Sequence, residues 1–540
     1  ASVSVLNHLG EEQVVSTIFP GESVGEMSLL TRQPVSATVR AVEDVEALVL
    51  GEADFDRLFT AYPLLYRNLG SVLSTRLIQT TRQAAHRDGG KTTLLMNAGA
   101  PVLMGYALAC SVAWHSRRPT LFVRCAESEP DPQFQQFAAQ HRETGLSVIL
   151  TRPEGEFAPD HIHQTLDAFD DRYTNILLEV PDNGIVPAVK ASIITLAGNE
   201  SSLRREQDTG LILRGWSQPA GNKVGPDMKG EITVPEPESL DELAEGMLSL
   251  STPTGRQLGW AARDITGTKV GLALGAGSIK GYAHVGVLQV LQEHNIPVDY
   301  LAGTSVGAAV GSAFAAGYDP DTCAEILDEV GKGAFKFGLS RHALLSSAAL
   351  RDGIRIVSHD KDFEELPVPL AIIAADIVTG REVVFTSGKL WPAVLASMAI
   401  PGIYPPVPIG EYILVDGGVV NPVPADAVSK LGANTAIAVK LGRRAVEDPI
   451  NLVANDPDGR PPLLVQTINR SIDIMQGKIV TESAAASTVT IEPVFPVIAG
   501  WGLRAFSEGR AYIEAGRRAA ESALPRLAAT AIPWLQEHVP

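Results

Sequence analysis

Only three cysteines occur in 540 residues, Cys110, Cys125 and Cys323, widely separated and without a Cys-x-x-Cys pair. That argues against a disulfide framework and a cysteine-ligated zinc cluster, and it fits a reducing compartment. No metal and no other cofactor is expected. Positive charge is also scarce: 44 basic residues face 62 acidic ones, leaving a net charge of -18. Such a chain repels phosphate backbones and is not drawn nonspecifically to anionic lipid, so nucleic acid is not an expected partner. No basic-then-apolar leader opens the sequence. One stretch, Leu94 to Ser116, lacks formal charge and is long enough to cross a bilayer. Asn97, Gly99, Pro101 and Gly105 interrupt it, so we read a strand, a turn and a packed helix there rather than a span.

What is present is enough apolar sequence, 45% against 20% charged, to bury substantial cores. The length exceeds what one core usually serves, so a globular, multidomain α/β protein is expected. Residues 1 to about 50 alternate short β-rich runs with turns, and from Asp54 to His86 apolar residues fall at three-to-four spacing. We read 1–88 as a partial β-roll followed by helices. Too few strands precede Gly21 to close a roll, and residue 1 lies within a strand-like run, so further sequence upstream is expected. A middle α/β domain, 91–250, places strands at Thr93 to Met96, Thr120 to Val123, Ser147 to Leu150, Asn175 to Val180, Ala191 to Leu196 and Leu211 to Leu213. Residues 215–240, rich in Gly, Pro and charge, read as a linker, and Leu240 to Leu250 as a short helix. Gly89-Gly90-Lys91-Thr92-Thr93 suggests a phosphate loop, but Ala85 stands where its first glycine belongs. The lysine also precedes a strand instead of following one, so a nucleotide-hydrolase-like fold without a live site is expected. The third domain, 265–530, alternates strands and helices in βαβ units that imply a mixed sheet, with a closing helix from Ser507 to Leu527.

The chemistry lies in the third domain. The strand Val270 to Leu274 runs into Gly275-Ala276-Gly277-Ser278-Ile279-Lys280-Gly281 and then a helical pattern. A glycine-rich turn at a helix N-terminus aims N–H groups at an anion or oxyanion. A dinucleotide loop would need glycine at Lys280 and an acid at the next strand's end. Thirty residues on, the strand Val298 to Ala302 ends in Gly303-Thr304-Ser305-Val306-Gly307 and a small-residue helix follows. That is a nucleophile elbow in its proper strand-turn-helix setting, with Ser305 placed to attack. Among candidate bases, His284, His294, His342 and His359 lack a motif. Ile413-Leu414-Val415-Asp416-Gly417-Gly418 presents an acid at a strand end; its bland alternative is an acid-capped turn. Asp376, before another turn, is a rival acid that reads better as a cap.

Taken together, G-A-G-S-I-K-G, G-T-S-V-G and D-G-G, in that order, resemble the three signatures of patatin-like phospholipases. Ala396-Ser397-Met398-Ala399-Ile400-Pro401-Gly402 and Asn421-Pro422-Val423-Pro424 extend the likeness over about 269 to 440. The resemblance implies Ser305 as nucleophile, Asp416 as base, and the amides of Gly275, Ala276, Gly277 and Ser278 as oxyanion hole. Lys280, Gly281, Gly303, Gly307, Gly417 and Gly418 support the motifs. Ala276 stands where glycine is commoner; a positive φ there would cost about 1 kcal/mol. Near the N-terminus, Gly21 to Leu30 and Pro34 to Val39 resemble the phosphate cassette of cyclic-nucleotide-binding domains. Within it Gly25 and Glu26 match, and Val35, just before Ser36, replaces the arginine that pairs with the cyclic phosphate. A cyclic nucleotide is therefore not an expected partner. This domain order resembles neuropathy-target-esterase-like lysophospholipases. It implies a phospholipid or lysophospholipid substrate, a membrane surface as partner, and a cytoplasmic location, peripheral to the membrane or anchored through upstream sequence. The competing expectation is an inactive regulatory or scaffolding protein; a third is hydrolysis of a thioester or soluble ester.

Overall fold

The computed structural model describes residues 2–6, 12–17, 38–40, 49–51, 54–55, 57–58, 91–101, 103–125, 146–151, 172–181, 192–198, 211–215, 231–237, 252–334, 347–358, 360–441, 464–495, 509–530, 532 and 534–535. The chain divides into two compact units, Ala1–His86 and Arg87–Pro540. In the first, β1 (Ser2–Leu6), β2 (Glu12–Thr17) and β3 (Thr38–Arg40) form an antiparallel sheet in the order β2-β1-β3. Residues 54, 55, 57 and 58 are helical, at the start of the expected helical stretch, and Phe55 is buried. The cassette residues Gly25, Glu26, Val35 and Ser36 lie outside the described residues.

The second unit holds two sheets. One is seven-stranded: β4 (Lys91–Ala98), β5 (Thr120–Cys125), β6 (Leu146–Thr151), β7 (Asn175–Pro181), β8 (Ser192–Ala197), β9 (Ile212–Gly215) and β10 (Glu231–Val234), ordered β10-β9-β8-β4-β7-β5-β6. Every pairing in it is parallel, which fits the unbroken apolar stretches Leu94–Met96, Leu121–Val123 and Ile176–Leu178 within β4, β5 and β7, since parallel strands are covered on both faces. The helix after β4, α1 (Met104–Ser116), is buried along almost its whole length, so its missing charge reflects a protein core. Among the described residues no helix is long and apolar enough to cross a membrane. Strand β10 lies inside the segment read as a linker, an edge strand of four residues between Gly230 and Pro235 that composition masked.

A helix absent from the sequence reading, α2 (Pro253–Thr266), joins the two sheets. Thr252 caps it by accepting from the Gly255 N–H at 3.1 Å, Pro253 occupies its first turn, and Gly267 ends it at φ 64°. Leu258, Trp260, Ala261, Ala262 and Ile265 pack into the core beneath the seven-stranded sheet. Arg263 is buried and donates twice to Asp299, at 2.7 and 2.9 Å. Asp299 also accepts from the Val270 N–H at 2.9 Å, and Arg263 meets His115 of α1 at 3.2 Å.

The second sheet comprises β11 (Val270–Leu274), β12 (Tyr300–Thr304), β13 (Leu370–Asp376), β14 (Glu382–Phe385), β15 (Val407–Ile409), β16 (Tyr412–Asp416), β17 (Thr435–Val439) and β18 (Val489–Ile491), ordered β15-β16-β13-β12-β11-β17-β18 with β14 also on β13. Strands β13, β12, β11, β17 and β18 are parallel, while β14, β15 and β16 run antiparallel, so the sheet is mixed. The helices around it are α3 (Tyr282–Glu293), α4 (Val306–Ala315), α5 (Pro320–Ala334), α6 (Ser347–Val357), α7 (Leu390–Ser397), α8 (Ala425–Leu431), α9 (Leu464–Ser483) and α10 (Gly509–Thr530). Both glycine motifs sit at the C-terminal ends of central parallel strands, where open α/β sheets place their ligand sites.

Candidate active site

Ser305 occupies the sharp turn between β12 and α4 with φ 56° and ψ -123°, a conformation that L residues rarely adopt and that must be held by its surroundings. Glycine is required on both sides of it. A Cβ on Gly303 would meet the Ala308 backbone at 2.7 Å, and one on Gly307 would run into the Leu274 carbonyl. Hydrogen bonds complete the clamp. The Ser305 N–H donates to Ser397 Oγ at 2.9 Å, and that hydroxyl donates to the Ile373 carbonyl at 2.6 Å. Thr304 Oγ1 donates to the Asn421 carbonyl at 2.9 Å, tying the elbow to the segment after Asp416.

The Ser305 hydroxyl donates to Asp416 Oδ2 at 2.5 Å. The other carboxylate oxygen, Oδ1, accepts from the Gly418 N–H at 2.7 Å. Asp416 is the last residue of β16, and its own N–H donates to Ala399 at 2.9 Å, within the Ala396 to Gly402 segment. Burial pushes its carboxyl up to about 6, against the pull of the Ser305 and Gly418 hydrogen bonds. A charge-assisted hydrogen bond to a base with a raised pKa can withdraw a serine proton near neutrality.

The glycine loop lies beside this pair: a Cβ on Gly307 would come within 2.9 Å of the Gly275 carbonyl, and one on Gly418 within 3.2 Å of Ala276 Cβ. Of the four amides expected to face an oxyanion, two are already engaged. Gly275 donates to the Val439 carbonyl at 3.1 Å and Ala276 to the Pro422 carbonyl at 2.8 Å. The expectation therefore narrows to Gly277 and Ser278, because an N–H bonded to a buried carbonyl cannot also serve a substrate. Ala276 escapes the feared positive φ, which falls instead at Ser278, at 51°. Lys280 lies over the Phe495 ring at 5.3 Å, and its N–H donates to the Gly277 carbonyl at 3.1 Å. Gly281 lets the start of α3 press against Val306 of α4.

The rival residues have other occupations. His284 is fully buried, and its Nε2–H donates to the Gly275 carbonyl at 2.8 Å. Burial pushes its imidazole down to about 4, so it stays neutral. His294 contacts the Val290 carbonyl of its own helix; His342 and His359 lie outside the described residues. Asp376 accepts from the Val378, Thr379 and Ile413 N–H groups and the Thr379 hydroxyl, the environment of a turn cap. Among the described residues no group of three His, Cys, Asp or Glu side chains could hold a metal ion. Sequence reasoning gave no special place to Ser397, which sits in a quoted motif but has no residue-type signal, or to Gln476 of α9, which lies against Gly418. A small apolar recess begins one turn along α4, lined by Ala309, Ser312, Ile326, Leu327, Val330, Ile354 and Val394.

Two segments of the chain match known protein families. Residues 272–429 match the patatin-like phospholipase family, and residues 1–62 match the cyclic nucleotide-binding domain. The chain thus carries a patatin domain and an N-terminal cyclic nucleotide-binding domain. Its homologues are proteins of the neuropathy target esterase family. Patatin-like phospholipase domain-containing protein 6 of Mus musculus is 25% identical over 81% of this chain and 36% of its own length. Neuropathy target esterase sws of Drosophila melanogaster is 25% identical over 83% and 34%. An uncharacterized NTE family protein of Mycobacterium bovis is 26% identical over 95% of this chain and 86% of that protein. The chain spans about a third of the length of these animal relatives. The solved structure of VipD from Legionella pneumophila is 12% identical and covers 47% of this chain and 67% of its own, with a TM-score of 0.27.

Proposed function

We propose that this chain is a serine lipid acyl hydrolase in which Ser305 is the nucleophile and Asp416 its general base, housed in a hydrolase domain of about 265–530. The observation that carries this reading is the 2.5 Å hydrogen bond from a strained elbow serine to a buried carboxylate, inside a segment matching patatin-like phospholipases. Asp416 takes the hydroxyl proton as Oγ attacks the ester carbonyl carbon. The Gly277 and Ser278 amides stabilise the resulting oxyanion. Collapse breaks the bond to the leaving alcohol, which takes the proton from Asp416 and leaves an acyl-serine. Water, deprotonated by Asp416, then attacks the acyl-serine; the fatty acid leaves as Ser305 recovers its proton.

The relatives' name of patatin-like phospholipase supports a phospholipid substrate, and the resemblance in domain order supports a lysophospholipid at a membrane surface. A fluorophosphonate ester tests the assignment: it should label folded wild-type protein and not Ser305→Ala, with Asp416→Asn strongly suppressing labelling. Unlabelled but folded wild-type protein would favour the scaffolding reading. Turnover indifferent to micelles or bilayers would instead favour a soluble ester or thioester.

A further inference from the structure

Strands β11, β12 and β13 end on one edge of their sheet, and that edge carries more than the Ser305 and Asp416 pair. Thr304 pairs with Ile373 of β13, and Asp416 with Ala374. Strand β13 continues two residues to Asp376 before turning through Ile377, Val378, Thr379 and Gly380. On β16, Ile413 lies three residues before Asp416 and follows Tyr412. At about 3.3 Å per residue, the two tips stand on the order of 10 Å beyond Asp416 along the strands.

Both tips expose large apolar side chains: Ile377 at 55%, Val378 at 69%, Ile413 at 44% and Tyr412 at 38%. Single exposed apolar residues are ordinary; four on two adjoining tips mark an interaction surface. The tips are also joined. The Ile377 N–H donates to the Ile413 carbonyl at 2.9 Å, and the buried Asp376 carboxylate gathers donors from both turns. The patch is thus preorganised, which lowers the entropy lost on docking. Residues 377–381 and 409–413 carry one exposed cation, Arg381, and one exposed anion, Glu411, so the tips are neutral on a chain of net charge -18. Ile474 and Met475, also exposed, directly precede Gln476, which lies against Gly418.

We propose that the Ile377, Val378, Tyr412 and Ile413 tip docks on a zwitterionic lipid surface and brings the Ser305 edge of the sheet to it. This rests on the lipid acyl hydrolase reading. With no net charge and no basic cluster, the tip has no electrostatic preference for anionic lipid, while Tyr412 has the apolar body and polar end favoured at headgroup depth. The test is flotation of the full chain with phosphatidylcholine vesicles, comparing wild type with Ile377→Ser/Val378→Ser. The substitution should reduce vesicle binding at least about tenfold, because burial of the two exposed apolar side chains is lost. Hydrolysis of a soluble short-chain ester should be unchanged. Wild-type protein that does not float, or a variant that floats equally well, overturns the proposal. Self-association lost in the variant with flotation intact would assign the tip to a second copy and also overturn it. Failure of the wild type on the soluble ester would sink the hydrolase reading, whereas flotation separately decides whether the tip docks.

Discussion

Replacing Asp416 with asparagine should stabilise the protein at alkaline pH while disabling its chemistry. Burial raises the carboxyl from 3.8 to about 6. A carboxyl raised on folding is easiest to accommodate protonated: its contribution to stability is fully present below the unfolded value and is lost as pH rises through about 6. A shift of about two pKa units corresponds to about 3 kcal/mol of unfolding free energy forgone at pH 8. An amide of the same shape avoids that penalty. Its oxygen can accept from the Gly418 N–H and its NH2 group can donate to Ser305 Oγ, so both contacts persist with the second one reversed and the Ser305 proton giving up its acceptor. For the compact unit Arg87–Pro540, of roughly 450 residues, Asp416→Asn should raise Tm by about 3 °C at pH 8 and change it little at pH 3.5. Calorimetric scans of wild type and variant at both values provide the assay, with fluorophosphonate labelling run in parallel. A variant equally or less stable than wild type at pH 8 would refute the claim that an ionised, desolvated Asp416 sits beside Ser305.

Ser397→Ala should leave the Ser305 N–H and the Ile373 carbonyl unpaired, costing about 1–3 kcal/mol in denaturant titration and lowering kcat. His284→Phe removes the donor to the Gly275 carbonyl; kcat should fall about tenfold with KM kept, and the pH–rate inflection near 6 should remain because that imidazole stays neutral. Arg263→Met alone should destabilise by about 3–5 kcal/mol, as it strands the buried Asp299, while Arg263→Met with Asp299→Leu should recover part of the loss in urea unfolding. Calorimetry with cAMP or cGMP should show no micromolar binding; binding abolished by Arg32→Ala or Arg40→Ala would mean that another arginine replaces the one missing at Val35.

The glycine motifs were legible because they combine two signals, a strand of continuous apolar residues and small residues at an enforced close approach. Val270 to Leu274 and Ile413 to Asp416 therefore locate β11 and the end of β16 from sequence alone. Helix α2 carried readable punctuation, Thr252-Pro253 before it and Gly267 after it, but its glycines and polar residues diluted the apolar spacing. Strand β10 hid in Gly- and Pro-rich surroundings, since four edge residues are too few to set a period. Which loop amides remain open could not be read, because Val439 and Pro422, whose carbonyls occupy two of them, lie more than a hundred residues away. Ser397 was invisible for the same reason: a serine on a helix gives no sign that it bridges an elbow and a neighbouring strand.

The buried pair between Arg263 and Asp299 has a practical corollary for anyone wishing to excise the patatin domain. The guanidinium belongs to α2, its carboxylate partner lies just ahead of β12, and the imidazole it touches sits on α1, against the Trp534 ring at 4.6 Å between centroids. A cut at the apparent family boundary near residue 272 would therefore remove Val270 as well as Arg263, leaving a desolvated anion in the floor of the fragment and an uncovered tryptophan near its end. A separable catalytic fragment would have to begin before Thr252, and even then would bear the apolar flank of α2 that the seven-stranded sheet now covers. The seam between the two sheets is better regarded as a shared wall than as a hinge.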